Sequence, residues 1–391
     1  MKLLFYKYYL LAIVLTCLPA FCDGMPPEAR LKVRLLSGFN TDSVSFSVVK
    51  GAYGMNCFPS GSALLEKGQS AVLFRSGEKL VIKTGNNPFW IVSDSVMLEG
   101  RDGNDSFTLS PGEQGQLTRQ YSGELLCKAD LGTLLLIGSC DEDTYIAGVV
   151  KAEGGSGRHR EYFKVQAVIA RTYMYRHLYR HAPDGFSLCD DVHCQAFNGI
   201  TDDSLIIRAV DETRNLVITG PDSQPIISAF HSNCGGETLP SEHLWLTAQP
   251  YLKKVRDPYC AASPNSEWRK SIPAKEWIEY LGRSGMPARP ADPAVLNFNQ
   301  PVRMISYRAG NFSLPFVQIR SDLGLRSSFF SVRLEGDTVI LSGRGYGHGA
   351  GLCQEGAMVM ASRGFDFRKI IAFYYSGVSV TEIRTVSAGT E

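Results

Sequence analysis

The chain has 391 residues, 44% of them apolar and 20% charged, with a formal net charge of +1. That length buries one large core or two smaller ones, and the balanced charge leaves no electrostatic footprint for nucleic acid or a strongly anionic partner. Glycine is frequent, at 38 residues, but clusters in loops and follows no collagen-like period.

Residues 1–22 have the pattern of a secretory signal peptide. Lys2 and Lys7 precede LLAIVLTCL, an apolar run too short to span a bilayer, and Pro19 and Ala20 follow it. Cleavage is expected near Ala20 or Cys22, and lipidation at Cys17 is disfavoured by the bulk of Thr16 before it. No later stretch is long and apolar enough to span a membrane. The expectation is therefore an exported protein of the periplasm, envelope or medium, without a transmembrane segment after the signal peptide. Eight cysteines remain, at 57, 127, 140, 189, 194, 234, 260 and 353. An even number in an exported chain favours disulfides, whose pairing the sequence does not give.

Residues 23–126 read as a β-rich N-terminal section. LKVRLL, SVSFSVV, SAVLFR, KLVIKT, FWIVS, SFTLS and ELLCK are strand-like runs, with turns at Gly85-Asn86-Asn87, Asp102-Gly103-Asn104 and Pro111-Gly112. No acid, histidine or cysteine group there has reactive spacing, which points to a structural or substrate-positioning role.

A second domain is expected over 127–381. In it YIAGVV reads as a short strand that delivers Glu153 into the loop Gly154-Gly155-Ser156-Gly157. A helix over about 160–180 follows, with Phe163, Ala167, Ala170, Met174 and Leu178 as one buried stripe and Lys164, Arg171 and Tyr175 on a neighbouring face. An acid at a strand end beside a helix carrying an arginine is one way to hold a carboxyl group in a cleft; the plain alternative is an exposed loop acid. Strand-like ISAFHSN and CGGET lie at 227–238, and a second helix is expected over Trp268 to Tyr280. A Pro-rich excursion near 285–301 comes next. VRMISYR, PFVQIR, SSFFSVRLEG and TVILSG read as strands, and helices open at Gln354 and Phe367. The predicted class is α+β: a mixed, β-rich core with a few helices packed around a cleft.

Three stretches carry chemistry. In GRGYGHGAGLCQEGAMVMA (343–361) alternate glycines let the backbone approach a ligand while Arg344, Tyr346 and His348 project to one side, if the segment is extended. The same letters fit a dinucleotide fingerprint, but no βαβ series surrounds them, so a sugar- or peptide-binding floor is the better use. The polar knot at 181–198 holds His181, Cys189, His193 and Cys194, and two readings stay open: a closed zinc site or a Cys189–Cys194 disulfide. Either makes the knot a brace that positions Gln195. In AFHSNCGGE, Ser232 has no nucleophile-elbow pattern around it and reads as a hydrogen-bonding group above a glycine turn.

YIAGVVKAEGG with EYFKVQAVIARTY, then CDDVHCQAFNG, then ISAFHSNCGGET with WL…YLKKV, then GRGYGHGAGLCQEGAMVMASRG with IIAFYYSG occur in that order over roughly 140–378. Together they resemble the stage II sporulation protein D family, also called the SpoIID/LytB domain. The resemblance implies a glycan-binding cleft and lytic transglycosylation of peptidoglycan: cleavage between N-acetylmuramic acid and N-acetylglucosamine without water, on strands that have lost their stem peptides, leaving a 1,6-anhydro end. It carries the catalytic glutamate to Glu153, and a zinc site to Cys189 and Cys194 with His181 and His193. Cys353 stands where a small residue or methionine is common. Arg171, Tyr173, Gln195, Ser232, Arg344, Tyr346, His348 and Gln354 are the candidate supporting residues. The expected partner is peptidoglycan glycan; the alternative function is a non-catalytic glycan-binding module that enhances a separate cell-wall amidase.

Overall fold

The computed structural model describes residues 30–85, 90–112, 117–245, 247–287 and 295–383. The expected signal peptide, part of the turn at 85–87 and much of the Pro-rich excursion lie outside the described residues. The architecture is α+β and rich in strands.

The front of the chain folds because its strands alternate. Ser43–Lys50 buries Val44, Phe46 and Val48, and Ala52–Phe58 buries Tyr53, Met55 and Cys57, each on one face. The first strand belongs to a six-stranded sheet, in the order 119–122, 106–111, 43–50, 70–76, 79–84, 91–93. The second belongs to a seven-stranded sheet, in the order 188–189, 31–34, 133–140, 124–130, 95–100, 52–58, 61–66. The inner faces meet in an aromatic cluster, with Tyr53 edge-on to both Phe46 and Phe107 at 5.4 Å. Each such ring contributes about 1.5–3 kcal/mol on burial. The division expected at 126 falls inside the strand Glu124–Asp130, which pairs with Thr133–Cys140, itself paired with Leu31–Arg34. One apolar core runs across it.

That core continues into helices. The segment read as the strand YIAGVV is instead helix α1, Glu142–Gly154. Asp141 caps it, its carboxylate accepting the Thr144 N–H at 2.8 Å, and Glu142 and Asp143 occupy the positive end of the helix dipole. A cap is worth about 1 kcal/mol. It roughly offsets the slight helix aversion of Ile146, Val149 and Val150, a few tenths of a kcal/mol each, and burial of the helix in the core decides the outcome. Helix α2, Arg160–His177, buries the expected stripe, but also Tyr162, Gln166, Arg171, Thr172 and Tyr175, so it is a central helix rather than an amphipathic one. Helix α3, Ser204–Asp211, packs on α1 and α2.

A second, separate core occupies residues 267–344, built on Trp277, Tyr307, Phe316 and Phe330. Three expectations change here. Glu267–Pro273 is a strand paired with Thr338–Arg344, and helix α4 covers only Ala274–Arg283. PFVQIR is not a strand: after Pro315, Phe316–Asp322 forms helix α5. Of 227–238, only Phe230–His231 is a strand, parallel to Leu352–Cys353. The chain then returns to the main body as helices α6, Gln354–Ser362, and α7, Phe367–Tyr374. No described helix is long and apolar enough to cross a membrane.

The disulfides expected of an exported chain are not formed: all eight cysteines are buried and unpaired. Topology explains one case. Cys57 and Cys127 both lie opposite Val96, on either side of one strand, so two strand spacings of nearly 5 Å separate them.

Candidate functional site

Glu153 stands in the last turn of α1, partly buried. Its Oε1 accepts the Ala196 N–H at 2.9 Å, and its carboxyl makes no ion pair among the described residues. Loss of hydration by burial pushes its pKa up, and the Ala196 N–H opposes that rise. Position 148 explains how Ala196 comes so close. A glycine inside a helix costs about 1 kcal/mol relative to alanine. Here a Cβ would lie 2.4 Å from both the Gly199 carbonyl oxygen and the Phe197 ring. The missing side chain lets segment 196–199 lie directly on α1.

Gln354, first residue of α6, closes the other side. Its Nε2 donates to the Glu153 carbonyl oxygen at 3.1 Å and approaches the Gln166 side-chain oxygen at 3.5 Å. The next N–H, of Glu355, donates to the Ser232 carbonyl at 3.0 Å, which seats the 230–233 segment beside this corner. Gln195 is buried, its side-chain oxygen accepting from Tyr145 at 3.4 Å. Gln166 Nε2, Gln195 Nε2, the Tyr162 hydroxyl and His231 Nε2 are buried without a protein hydrogen-bond partner. Of these, Gln166 and Tyr162 lie nearest the acid, against Gly154, and buried polar atoms left without a protein partner are where water or a ligand group would be accommodated. Gln166 and Tyr162 are absent from the residues expected on sequence; a glutamine in the middle of the apolar run FKVQAVIA is the available signal.

The other expected residues divide. Ser232, Gln195 and Gln354 lie at the corner just described. His348 sits further along, its ring 5.5 Å from His231 and 6.3 Å from Trp245, with its pKa lowered to about 4 by burial and by the nearby Arg320 and Arg303. Tyr346 is exposed under the Arg326 guanidinium, and its backbone pairs with Asn233. Arg344 turns toward the 300–301 segment, over the Phe329 ring at 3.8 Å, donating to the carbonyls of Gln300 and Pro301. The three side chains therefore do not share one side. Gly345, Gly347, Gly349 and Gly351 all have positive φ, so the segment coils where an extended strand is expected from the sequence.

Arg171 is the clearest departure. Its fully buried guanidinium contacts Glu142 Oε1 at 2.6 Å and donates to the Thr213 and Leu216 carbonyls at 2.7 and 3.3 Å. Glu142 also accepts the Tyr175 hydroxyl at 2.6 Å. The eleven residues from Glu142 to Glu153 span about 16 Å of helix, so Arg171 anchors the opposite end of α1.

The knot expected at 181–194 is assembled. One ligand atom each from His181, Cys189, His193 and Cys194 lies within 4.8 Å of every other. The nitrogen–sulfur separations are 3.6, 3.6 and 3.7 Å. A tetrahedral zinc ion with bonds of about 2.3 Å to sulfur and 2.0–2.1 Å to nitrogen has such edges of about 3.6 Å. A bend at 191–194 lets the adjacent His193 and Cys194 both face inward. Tyr173 lies against this knot, its hydroxyl accepting from Arg180 at 2.9 Å and near the His193 carbonyl. Asp190 ties the knot to the front sheets by accepting from Leu36 N, Ser37 N, Ser37 Oγ and Arg119 at 2.6–2.9 Å.

The knot and Glu153 both fall within residues 131–219, which match the family model described as stage II sporulation protein. Stage II sporulation protein D of Bacillus subtilis (strain 168) is 31% identical over 257 residues, 61% of this chain and 74% of that protein. An uncharacterized protein of Brachyspira hyodysenteriae is 26% identical over 360 residues, 89% of this chain and 95% of its own length. The amidase enhancer of Bacillus subtilis is 26% identical over 290 residues, 60% of this chain but 40% of that protein. The extent of the first match, together with the Glu153 corner and the knot beside it, leads to one conclusion: the chain belongs to the stage II sporulation protein D family, which is related to the cell wall.

Proposed function

We propose that the protein is an exported lytic transglycosylase of peptidoglycan glycan strands, with Glu153 as the single acid–base group. One observation carries the reading: a partly buried carboxyl, with no ion pair among the described residues, whose pKa is raised by loss of hydration, beside the unpartnered polar atoms of Gln166 and Tyr162. A hydrolase needs a second carboxyl to activate water or form a glycosyl intermediate. A transglycosylase takes its nucleophile from the substrate. Protonated Glu153 gives its proton to the glycosidic oxygen as the bond to the muramic acid anomeric carbon breaks. The 6-hydroxyl of the same sugar then attacks that carbon and gives its proton to the Glu153 carboxylate. The acid is regenerated, no water is consumed, and the product is a 1,6-anhydro sugar.

The surroundings suit both halves of this cycle. Ala196 N–H holds Oε1 and steadies the carboxylate, leaving Oε2 for the substrate. Gln354, Gln166, Gln195 and Ser232 offer amide and hydroxyl contacts to N-acetyl and ring substituents. Arg171, which would favour the ionised form if it were close, is held at Glu142 instead. His181, Cys189, His193 and Cys194 would hold a zinc ion whose role is structural. Cys194 is two residues before Ala196, so a closed knot fixes the N–H that grips Glu153.

The test is Glu153→Gln, which keeps shape and removes the proton. The variant should keep the wild-type fold by circular dichroism and release no anhydro-ended products from peptide-free glycan. Full activity would overturn the assignment. If wild type and variant both bind glycan, release nothing and stimulate a cell-wall amidase equally, the activity belongs to the enhancer class named by the Bacillus relative.

A further inference from the structure

A second cluster of metal-binding side chains lies on the other side of Glu153. Cys234, Asp257, Cys260 and Cys353 are each at most 1% exposed, and one ligand atom from each lies within 4.8 Å of all the others. They come from distant parts of the chain: the 230–234 segment, the loop before the second core, and the N-cap of α6. We infer that these three thiolates and one carboxylate form a closed structural zinc site, independent of the knot at 181–194 and of the glycan reading.

Four observations point to a metal and away from a simple disulfide. Three sulfurs converge, and a Cys234–Cys260 bond would leave Cys353 unexplained. The Cys234 and Cys260 sulfurs are 3.3 Å apart, and Cys234 Sγ is 3.2 Å from Asp257 Oδ2. Tetrahedral zinc needs about 3.8 Å between sulfurs and about 3.5 Å between sulfur and oxygen, whereas a disulfide needs about 2.05 Å. A few tenths of an ångström of outward relaxation admits the ion.

The outer contacts also belong to an ionised set. Cys353 Sγ receives the backbone N–H groups of Cys234 and Gly356 at 3.3 and 3.4 Å, at the positive end of α6. Asp257 Oδ2 accepts the Tyr374 hydroxyl at 2.9 Å, and Oδ1 accepts the Tyr259 N–H at 2.8 Å. Such second contacts orient metal ligands and lower the cost of their charge. Lastly, Asp257 has no ion pair among the described residues although it is 1% exposed, and buried carboxylates are normally paired or bound to a metal. Arg303, which donates to the Cys234 carbonyl at 2.7 Å, supplies positive charge nearby without filling that role.

Three sulfurs and an oxygen select a borderline-soft tetrahedral ion, and zinc fits without redox chemistry. The site fixes the start of α6, so that Gln354 reaches the Glu153 carbonyl. The test counts metal in the full exported chain, produced with added zinc and analysed by native mass spectrometry and elemental analysis without reductant. Wild type should hold one zinc ion more than Cys353→Ala, while Cys189→Ser lowers the count at the other knot only. Equal counts in wild type and Cys353→Ala, or a wild-type mass lower by two hydrogens with Cys234 and Cys260 in one disulfide-linked peptide, would overturn the inference. Should Cys353→Ala fail to fold, cobalt(II) in the folded Cys189→Ser/Cys194→Ser chain replaces it as the readout. Sulfur-to-cobalt charge-transfer bands there support the site, and their absence refutes it.

Discussion

Replacing Arg171 by methionine separates a structural role from a substrate-binding one. The substitution keeps the volume but removes the guanidinium. Glu142 would keep the Tyr175 hydroxyl at 2.6 Å and lose its cation, with its side chain only 17% exposed, and the Thr213 and Leu216 carbonyls would lose their donor. Breaking a buried pair from one side costs about 3–5 kcal/mol, mostly from the charge left behind. Adding Glu142→Gln removes that charge, so the double variant should be more stable than Arg171→Met alone. The assay is urea denaturation followed by circular dichroism, with release of anhydro-ended glycan measured per folded molecule. Arg171→Met should unfold at clearly lower urea, and its folded fraction should cleave at the wild-type rate. Abolished cleavage at an unchanged midpoint would put Arg171 at the substrate and refute the assignment.

Two further outcomes follow from the site. Because burial raises the Glu153 pKa, the fold favours its protonated form. The stability it contributes is fully present below the ordinary glutamate range and is lost as pH rises through the raised value. Glu153→Gln should therefore match wild type in acid and exceed it at mildly alkaline pH; an equal denaturation midpoint across the range would contradict the desolvation. Cys189→Ser, which removes one side chain of the knot at 181–194 and leaves the second cluster intact, should lower the thermal midpoint and slow glycan cleavage, and added zinc should restore neither. The rate loss should be on the order of a hundredfold, as for a displacement of about 1 Å at a reacting group. Unchanged rate and midpoint would show that the knot is not a metal brace.

What the sequence reveals depends on how local each signal is. The cluster at 181–194 can be read off because its four side chains lie within one short stretch, whereas Glu153 stands out only through the family resemblance, its local signal being equally that of an exposed loop acid. Helix α1 reads as a strand because Ile146, Val149 and Val150 favour strands, while the opposing signal is a single capping aspartate, Asp141. Arg171 is misplaced by the pattern because spacing tells which helix face a residue occupies, but not that Glu142 waits opposite. Cys234, Asp257, Cys260 and Cys353 escape it for the reason that makes them informative: only the folded chain brings positions 119 residues apart into contact.

The neck of the second core has its own consequence. Glu267 pairs with Arg344, and the Gly345 N–H donates to the Ser266 carbonyl at 2.8 Å, so the chain leaves and rejoins the main body through one zipped strand pair. Everything between those residues can fluctuate, open and close as its own cooperative unit, with Arg303 as a pin onto the Cys234 and Glu237 carbonyls. Changes of loop length inside it alter closure entropy by only about 0.6 kcal/mol per doubling. Insertions and deletions between 274 and 337 are thus absorbed beyond the neck, and they reach the main body through that pin and through Arg326, whose carbonyl accepts the Gly347 N–H at 2.8 Å.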